Sequence, residues 1–180
     1  SSRNGNMDIF ASRYDANGDL LDDDWAVTTD SAGQDYPDIA IDSNNNFTIV
    51  WTDGRNGNRD IYARRYDSNA SPIGNDFGVC TWDDNQGDLP SVIVDSLDNN
   101  IITWTSGVSG QFDIYARRYS PDGSPLNLIF PVCLASNDQV FQSTAINNNG
   151  QLLVTWQDVR NGSPDIYAKL FQPPFQSEGS

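Results

Sequence analysis

Two loops of the chain concentrate the side chains best suited to chemistry. Residues 51–60 place Trp51, Asp53, Arg55, Asn56, Gly57 and Asp60 in one short stretch. Residues 156–165 repeat the set as Trp156, Asp158, Arg160, Asn161, Gly162 and Asp165, and the end of the same pattern precedes Asp8. A copy at 104–113 keeps Trp104 and Asp113, but Ser106 replaces the first Asp and Val108 the Arg. Two chemistries suit such loops. Carboxylate and amide oxygens hold hard cations such as calcium. Alternatively, Asp caps the backbone N–H groups of a hairpin while Arg pairs with it, a staple that every copy would need. The turns at Asp42 and at Asp95 and Asp98 are also oxygen-rich, so Asp42, Asp53, Asp60, Asp95 and Asp98 are the candidate calcium ligands. None has the spacing of an EF-hand loop. Trp51, Trp104 and Trp156 are candidates for stacking on a sugar or for packing between sheets. Trp82 lies outside the pattern, in a linker, where an exposed contact is expected.

Composition narrows the functions further. Of the 25 acids, 24 are Asp, the bases number 10, His is absent, and the formal charge is -15. Without His there is no Ser-His-Asp or Cys-His unit and no imidazole metal site. A glycosidase would need two Asp carboxyls, because Glu178 lies in a polar tail. The negative charge repels phosphate backbones and anionic lipid, which excludes nucleic acid as a partner. No apolar run reaches the roughly 18 residues of a membrane span, and residues 1–5 lack the apolar stretch of a secretion signal. Little Glu, Lys or Met and abundant Asn, Asp and Gly favour strands and turns over helices.

The elements that must position these residues recur. The string Asp-Ile-Phe/Tyr-Ala stands at Asp8, Asp60, Asp113 and Asp165, in steps of 52, 53 and 52 residues. Trp51, Trp104 and Trp156 keep the same step, as do Asp42, Asp95 and Asn147, and Trp25, Phe77 and Phe130. Each unit reads as four strands. In the unit from Pro37 these cover residues 37–42, 47–53, 60–67 and 77–80, with an Asn-Gly hairpin signal at Asn56 and Gly57. Four antiparallel strands in a unit of this length predict an all-β fold of propeller-type blades, with the small apolar first strand innermost and the short fourth outermost. A stacked solenoid is the alternative. Cys80 and Cys133 occupy equivalent positions, which in blades lie well beyond the roughly 5.5 Å Cα separation of a disulfide. No bond between them is expected.

One repeat domain therefore spans 1–171, divided into a half-blade (1–36), blades at 37–89 and 90–142, and an incomplete blade (143–171), followed by a polar tail at 172–180. About three blades are too few to close a ring of the usual four to eight. The partner expected is a further copy of the chain, head to tail or as a closed dimer, or the rest of a longer repeat protein. The assembly residues would be Asp8, Ile9 and Phe10 at one end and Asp165, Ile166 and Tyr167 at the other.

The string Trp-x-Asp-x-Arg-Asn-Gly-x-x-Asp-Ile-Tyr-Ala-x-Arg-Tyr-Asp at residues 51–67 resembles a repeat of secreted and surface-anchored prokaryotic proteins, whose units are similar to β-propeller blades. The resemblance covers nearly the whole chain before the tail. It implies an extracellular or cell-surface setting and a non-catalytic scaffold. The expected function is thus a structural or interaction module that associates with itself through split blades, in a surface assembly, matrix or filament. A carbohydrate-binding lectin is the alternative, and an Asp-dependent glycoside hydrolase a further one. No cofactor is expected beyond possible calcium.

Overall fold

A computed structural model describes residues 5–81, 87–108 and 110–173. Trp82 and most of the tail lie outside the described residues. The described chain contains strands and no helix: β1 (Phe10–Tyr14), β2 (Leu20–Ala26), β3 (Gln34–Ile41), β4 (Phe47–Asp53), β5 (Asp60–Tyr66), β6 (Phe77–Cys80), β7 (Ser91–Val94), β8 (Asn100–Val108), β9 (Gln111–Tyr119), β10 (Phe130–Cys133), β11 (Gln139–Ile146), β12 (Leu152–Asp158) and β13 (Asp165–Phe171). They form four sheets in sequence order: β1-β2, β3-β4-β5-β6, β7-β8-β9-β10 and β11-β12-β13. Every pairing is antiparallel. Among the described residues the sheets pack one after another in an open row and close no ring.

Turn chemistry explains why the chain folds into these hairpins. The Asp42 carboxylate accepts hydrogen bonds from the N–H groups of Asn44 and Asn46 at 2.8 and 2.9 Å. Asp95 does the same for Leu97 and Asn99, and Asn147 for Asn149 and Gln151. Asp15 and Asp67 repeat the device between third and fourth strands. Each side chain satisfies two donors that the tight turn leaves unpaired, and Asn45 and Asp98 take the left-handed conformation that Asn and Asp tolerate.

The core lies in three seams between successive sheets. The first joins Ile9 and Val27 to Phe47, Ile49 and Trp51. The second joins Val50, Ile61 and Ala63 to Val92, Ile102 and Trp104. The third joins Ile101, Ile114 and Ala116 to Leu152, Val154 and Trp156. An aromatic contact closes the outer part of each: Trp25 with Tyr66, Phe77 with Tyr119 and Phe130 with Phe171, ring centroids 6.1, 5.3 and 6.0 Å apart. Every residue of β4 is buried, because sheets cover both of its faces. That is why β4 reads as a continuous run instead of an alternation.

Three details depart from the sequence reading. First, β3 and β11 begin at Gln34 and Gln139, ahead of the expected starts, because a bulge lets the strand continue past Pro37 and past Gln142. Second, β2 pairs with β1 as far as Leu20 opposite Tyr14, whereas the complete sheets show only isolated bridges at Pro72 and Pro125. Proline lacks the N–H that a ladder needs, and Leu20 restores it. Third, the expectation of a crowded inner strand fails for β3, where Ile39 and Ile41 are 52% and 63% exposed while the equivalent of Ile39, Val92, is 3% exposed. β3 and β4 lie over β7, whereas among the described residues no first or second strand of a preceding sheet lies over β3.

Ile102 is fully buried in the second seam. Replacing it by Ala should cost about 2–5 kcal/mol, through lost transfer energy and the cavity left behind. Ile39→Ala, at an exposed position, should change stability by less than about 0.5 kcal/mol. Urea denaturation of the two variants checks the contrast, and similar losses would contradict the seam assignment.

Candidate functional site

The hairpin residues that opened the sequence reading form staples. Asp53 is fully buried and accepts from the Trp51 indole at 2.7 Å and from the Arg55 backbone and guanidinium at 2.9 and 3.0 Å. Arg55 lies 4.0 Å over the Tyr62 ring and pairs with Asp76 at 2.7 Å. Asn56 reaches Asp60 and the Tyr62 hydroxyl. The last sheet repeats the set: Trp156 donates to Asp158 at 2.9 Å, Arg160 chelates the same carboxylate, and Arg160 stands 4.2 Å over Tyr167. Asp158 is held down to about 2, chiefly by the Arg160 side chain, against the opposing effect of burial. Arg160 also donates to the Cys133 sulfur at 3.2 Å, while burial is the main effect raising that thiol. Cys80 and Cys133 are both free thiols.

These contacts decide the fate of the residues singled out from the sequence. Trp51 and Trp104 are fully buried and Trp156 is 4% exposed, so the indoles are packing groups that offer no face to a sugar. Asp42 and Asp95 cap turns, Asp98 accepts from Ser43 and Asn44, Asp53 serves the staple and Asp60 holds Asn56. Among the described residues no group of three or more His, Cys, Asp or Glu stands together. Of the expected assembly residues, Asp8 and Ile9 are buried, whereas Asp165 and Ile166 are exposed and Phe10 and Tyr167 are partly so.

The middle hairpin drops the staple as a unit. Gln34 and Gln139, buried opposite Asp53 and Asp158, tie down the backbone carbonyls of Ala32 and Asn137. The equivalent position is Gly87, where a Cβ would sit 1.3 Å from the Thr105 carbonyl oxygen. Gln, Asp and Arg are thus replaced together by Gly87, Ser106 and Val108, and the linker backbone closes over Trp104 instead. The Gln pair escapes a sequence reading that starts these strands after it.

An open groove lies elsewhere, where the first strands of three sheets begin. Tyr36, Leu89 and Phe141 are equivalent residues of successive repeats, and all three have positive φ, at 49, 59 and 56°. For bulky residues this conformation costs on the order of 1–2 kcal/mol each. With Pro37, Asp38, Pro90, Ser91 and Gln142 they line an open groove of about 340 Å³. Tyr36 and Phe141 are 49% and 63% exposed. The polar groups around them are already engaged. Asp38 accepts from the Val92 N–H at 2.9 Å, and Gln142 bridges the Leu89 carbonyl and the Thr105 hydroxyl. Arg59 holds Asp35 and Asp88 at 2.8 and 2.5 Å and lies 5.4 Å from the Tyr36 ring. Burial, more than any charge, pushes Asp88 above the usual carboxylate range. One guanidinium thus stands among three carboxylates, Asp35, Asp38 and Asp88, so the surroundings of the groove keep a net negative charge.

Comparison with known proteins bears on the fold. The chain matches the crystal structure of an endo-arabinase from Bacteroides thetaiotaomicron VPI-5482 with a TM-score of 0.55 and 16% identity, over 96% of this chain and 66% of that one. The two share a fold. The chain spans just under two thirds of that protein, and identity this low carries no residue roles across. No protein-family model matches the chain, and no curated protein does. No helix of the described residues is long and apolar enough to cross a membrane.

The staple at Asp158 has a pH signature. Its folded pKa, about 2, lies below the unfolded value near 3.9, so its contribution is complete above about pH 5 and is lost as the pH falls toward 2. The melting temperature of the native chain should drop more steeply across that interval than that of Asp158→Asn. Parallel curves would show that the carboxylate is not held as described.

Proposed function

We propose that the chain is a non-catalytic carbohydrate-binding module of propeller-blade type, and that the groove at Tyr36 and Phe141 takes a neutral sugar chain. One observation carries this reading: two exposed aromatic rings stand on equivalent, strained backbone positions and line one open groove. Sugar rings present apolar C–H faces to aromatic rings and hydroxyls to the groups between them, which is the usual composition of such sites. Strain repeated at equivalent positions of three sheets supports a role that stability alone does not favour.

The fold shared with a protein named an endo-arabinase makes arabinose-containing oligosaccharides the first ligands to try. Hydrolysis is a weaker reading. A glycosidase sets a protonated acid against a free carboxylate, whereas Asp35 and Asp88 share one guanidinium. A secreted or surface-attached setting, implied by the repeat resemblance, goes with this function.

Isothermal titration with arabinose-containing and other neutral oligosaccharides tests the proposal. Tyr36→Ala and Phe141→Ala should each weaken binding at least about 10-fold, in line with the loss of one aromatic contact of about 1.4 kcal/mol. Phe141→Gly should abolish the contact without lowering stability, because Gly accepts positive φ freely and little packing is lost at an exposed site. Failure of every sugar to bind, or unchanged affinity in the Ala variants, would reject the groove. Release of reducing sugar would replace binding by hydrolysis.

A further inference from the structure

Arg59 has no counterpart elsewhere in the repeat. The equivalent positions hold Met7, Phe112 and Pro164. Its partners Asp35 and Asp88 are equivalent residues of successive repeats, and the next equivalent is Val140. The seams and the turn caps recur along the chain. This bridge is made once, where the groove opens. Asp35 and Asp88 immediately precede Tyr36 and Leu89, two of the strained residues that line it. Arg59 reaches both acids from the hairpin between β4 and β5. Its Nε donates to Asp88 at 2.5 Å and a terminal nitrogen donates to Asp35 at 2.8 Å. The guanidinium stands 5.4 Å from the centre of the Tyr36 ring.

A guanidinium beside an open aromatic groove is the group that a sugar carboxylate would seek, because its planar fork matches a carboxylate with two hydrogen bonds. Here two carboxylates of the chain itself already hold that fork. Asp38 adds a further acid to the groove wall, and no Lys or Arg is among the described residues that line it. An incoming anion therefore meets three carboxylates and one occupied cation. Asp35 and Asp88 are only 21% and 38% exposed, so salt screens them less than it screens fully exposed surface acids.

We propose that Asp35 and Asp88 are specificity-determining residues: by occupying Arg59 they make the groove a charge filter that admits neutral sugar chains and rejects acidic ones. This rests on the sugar-binding reading of the groove. Discrimination of this kind works by unfavourable contacts with the wrong ligand, not by added contacts with the right one. It also has a direction that a purely structural tie lacks. Cutting a structural tie weakens all ligands alike. A charge filter changes the ratio of two ligands, in opposite senses when the anions or the cation are removed.

The probes are short arabino-oligosaccharides and the other neutral oligosaccharides of the titration above, each in two forms. One is reduced at its end to the neutral alditol, and the other is oxidised there to the aldonate, so the pair differs by one carboxylate. In low salt the native chain should bind the alditol at least about 5-fold more tightly than the aldonate. Added salt should shrink that gap. Asp35→Asn/Asp88→Asn should close it to within about 2-fold, and Arg59→Gln should widen it. Asp19→Asn/Asp23→Asn removes the same charge at exposed positions outside the groove lining and should leave the gap as it is. If the Asn pair at the groove loses its fold, the single variants Asp35→Asn and Asp88→Asn take its place, and each should close part of the gap. Equal or tighter binding of the aldonate by the native chain, a gap that survives the Asn changes at the groove, or one that Asp19→Asn/Asp23→Asn also closes would overturn this inference and leave sugar binding standing. Binding of neither form rejects the groove and this inference with it.

Discussion

Everything in this molecule follows from the fact that a blade-type sheet has two apolar faces. A strand such as β4, buried along its whole length, is stable only when a sheet lies on each side. No sheet here can fold by itself, and each supplies half of a seam to its neighbour. The isoleucine at the start of each third strand and the tryptophan of each second strand are the two halves of that contact. Stability is therefore a property of neighbouring pairs, as in other repeat proteins, and not of single units.

Given the seams, the acidic composition finds its place. Asp and Asn fold their oxygens back onto turn N–H groups, and the buried Asp53 and Asp158 hold indole and guanidinium partners. The open groove arises where turn chemistry gives way to strain, at Tyr36, Leu89 and Phe141.

Much of this was legible in the residues. The spans of β4 and β6 coincide with runs read from composition and alternation, because hairpin signals bound them tightly. The order of the sheets followed from the phase of Asp-Ile-Tyr-Ala. The groove was not legible. Tyr36 and Leu89 each precede a proline and look like ordinary turn residues, and nothing local announces that they meet Phe141 from a third repeat. The buried Gln34 and Gln139 were hidden for a related reason, since a bulge carries each strand back past the proline or glutamine that seemed to begin it. The tryptophans were the converse case. Residues that could stack on sugar were needed as packing, and only three-dimensional burial separates those roles.

The outer rims of the sheets differ in how they are guarded. Pro72 and Pro125 interrupt the rim of each complete sheet, so another chain finds no continuous row of N–H groups there. β2 has Leu20 in that place and pairs through it with β1, across two register irregularities, with Leu21 also exposed, but it carries Asp22, Asp23 and Asp24 in succession. Proline blocks a rim at any acidity, whereas a carboxylate blocks it only while ionised. The outer rim is thus guarded by proline in the two complete sheets and by charge in the first.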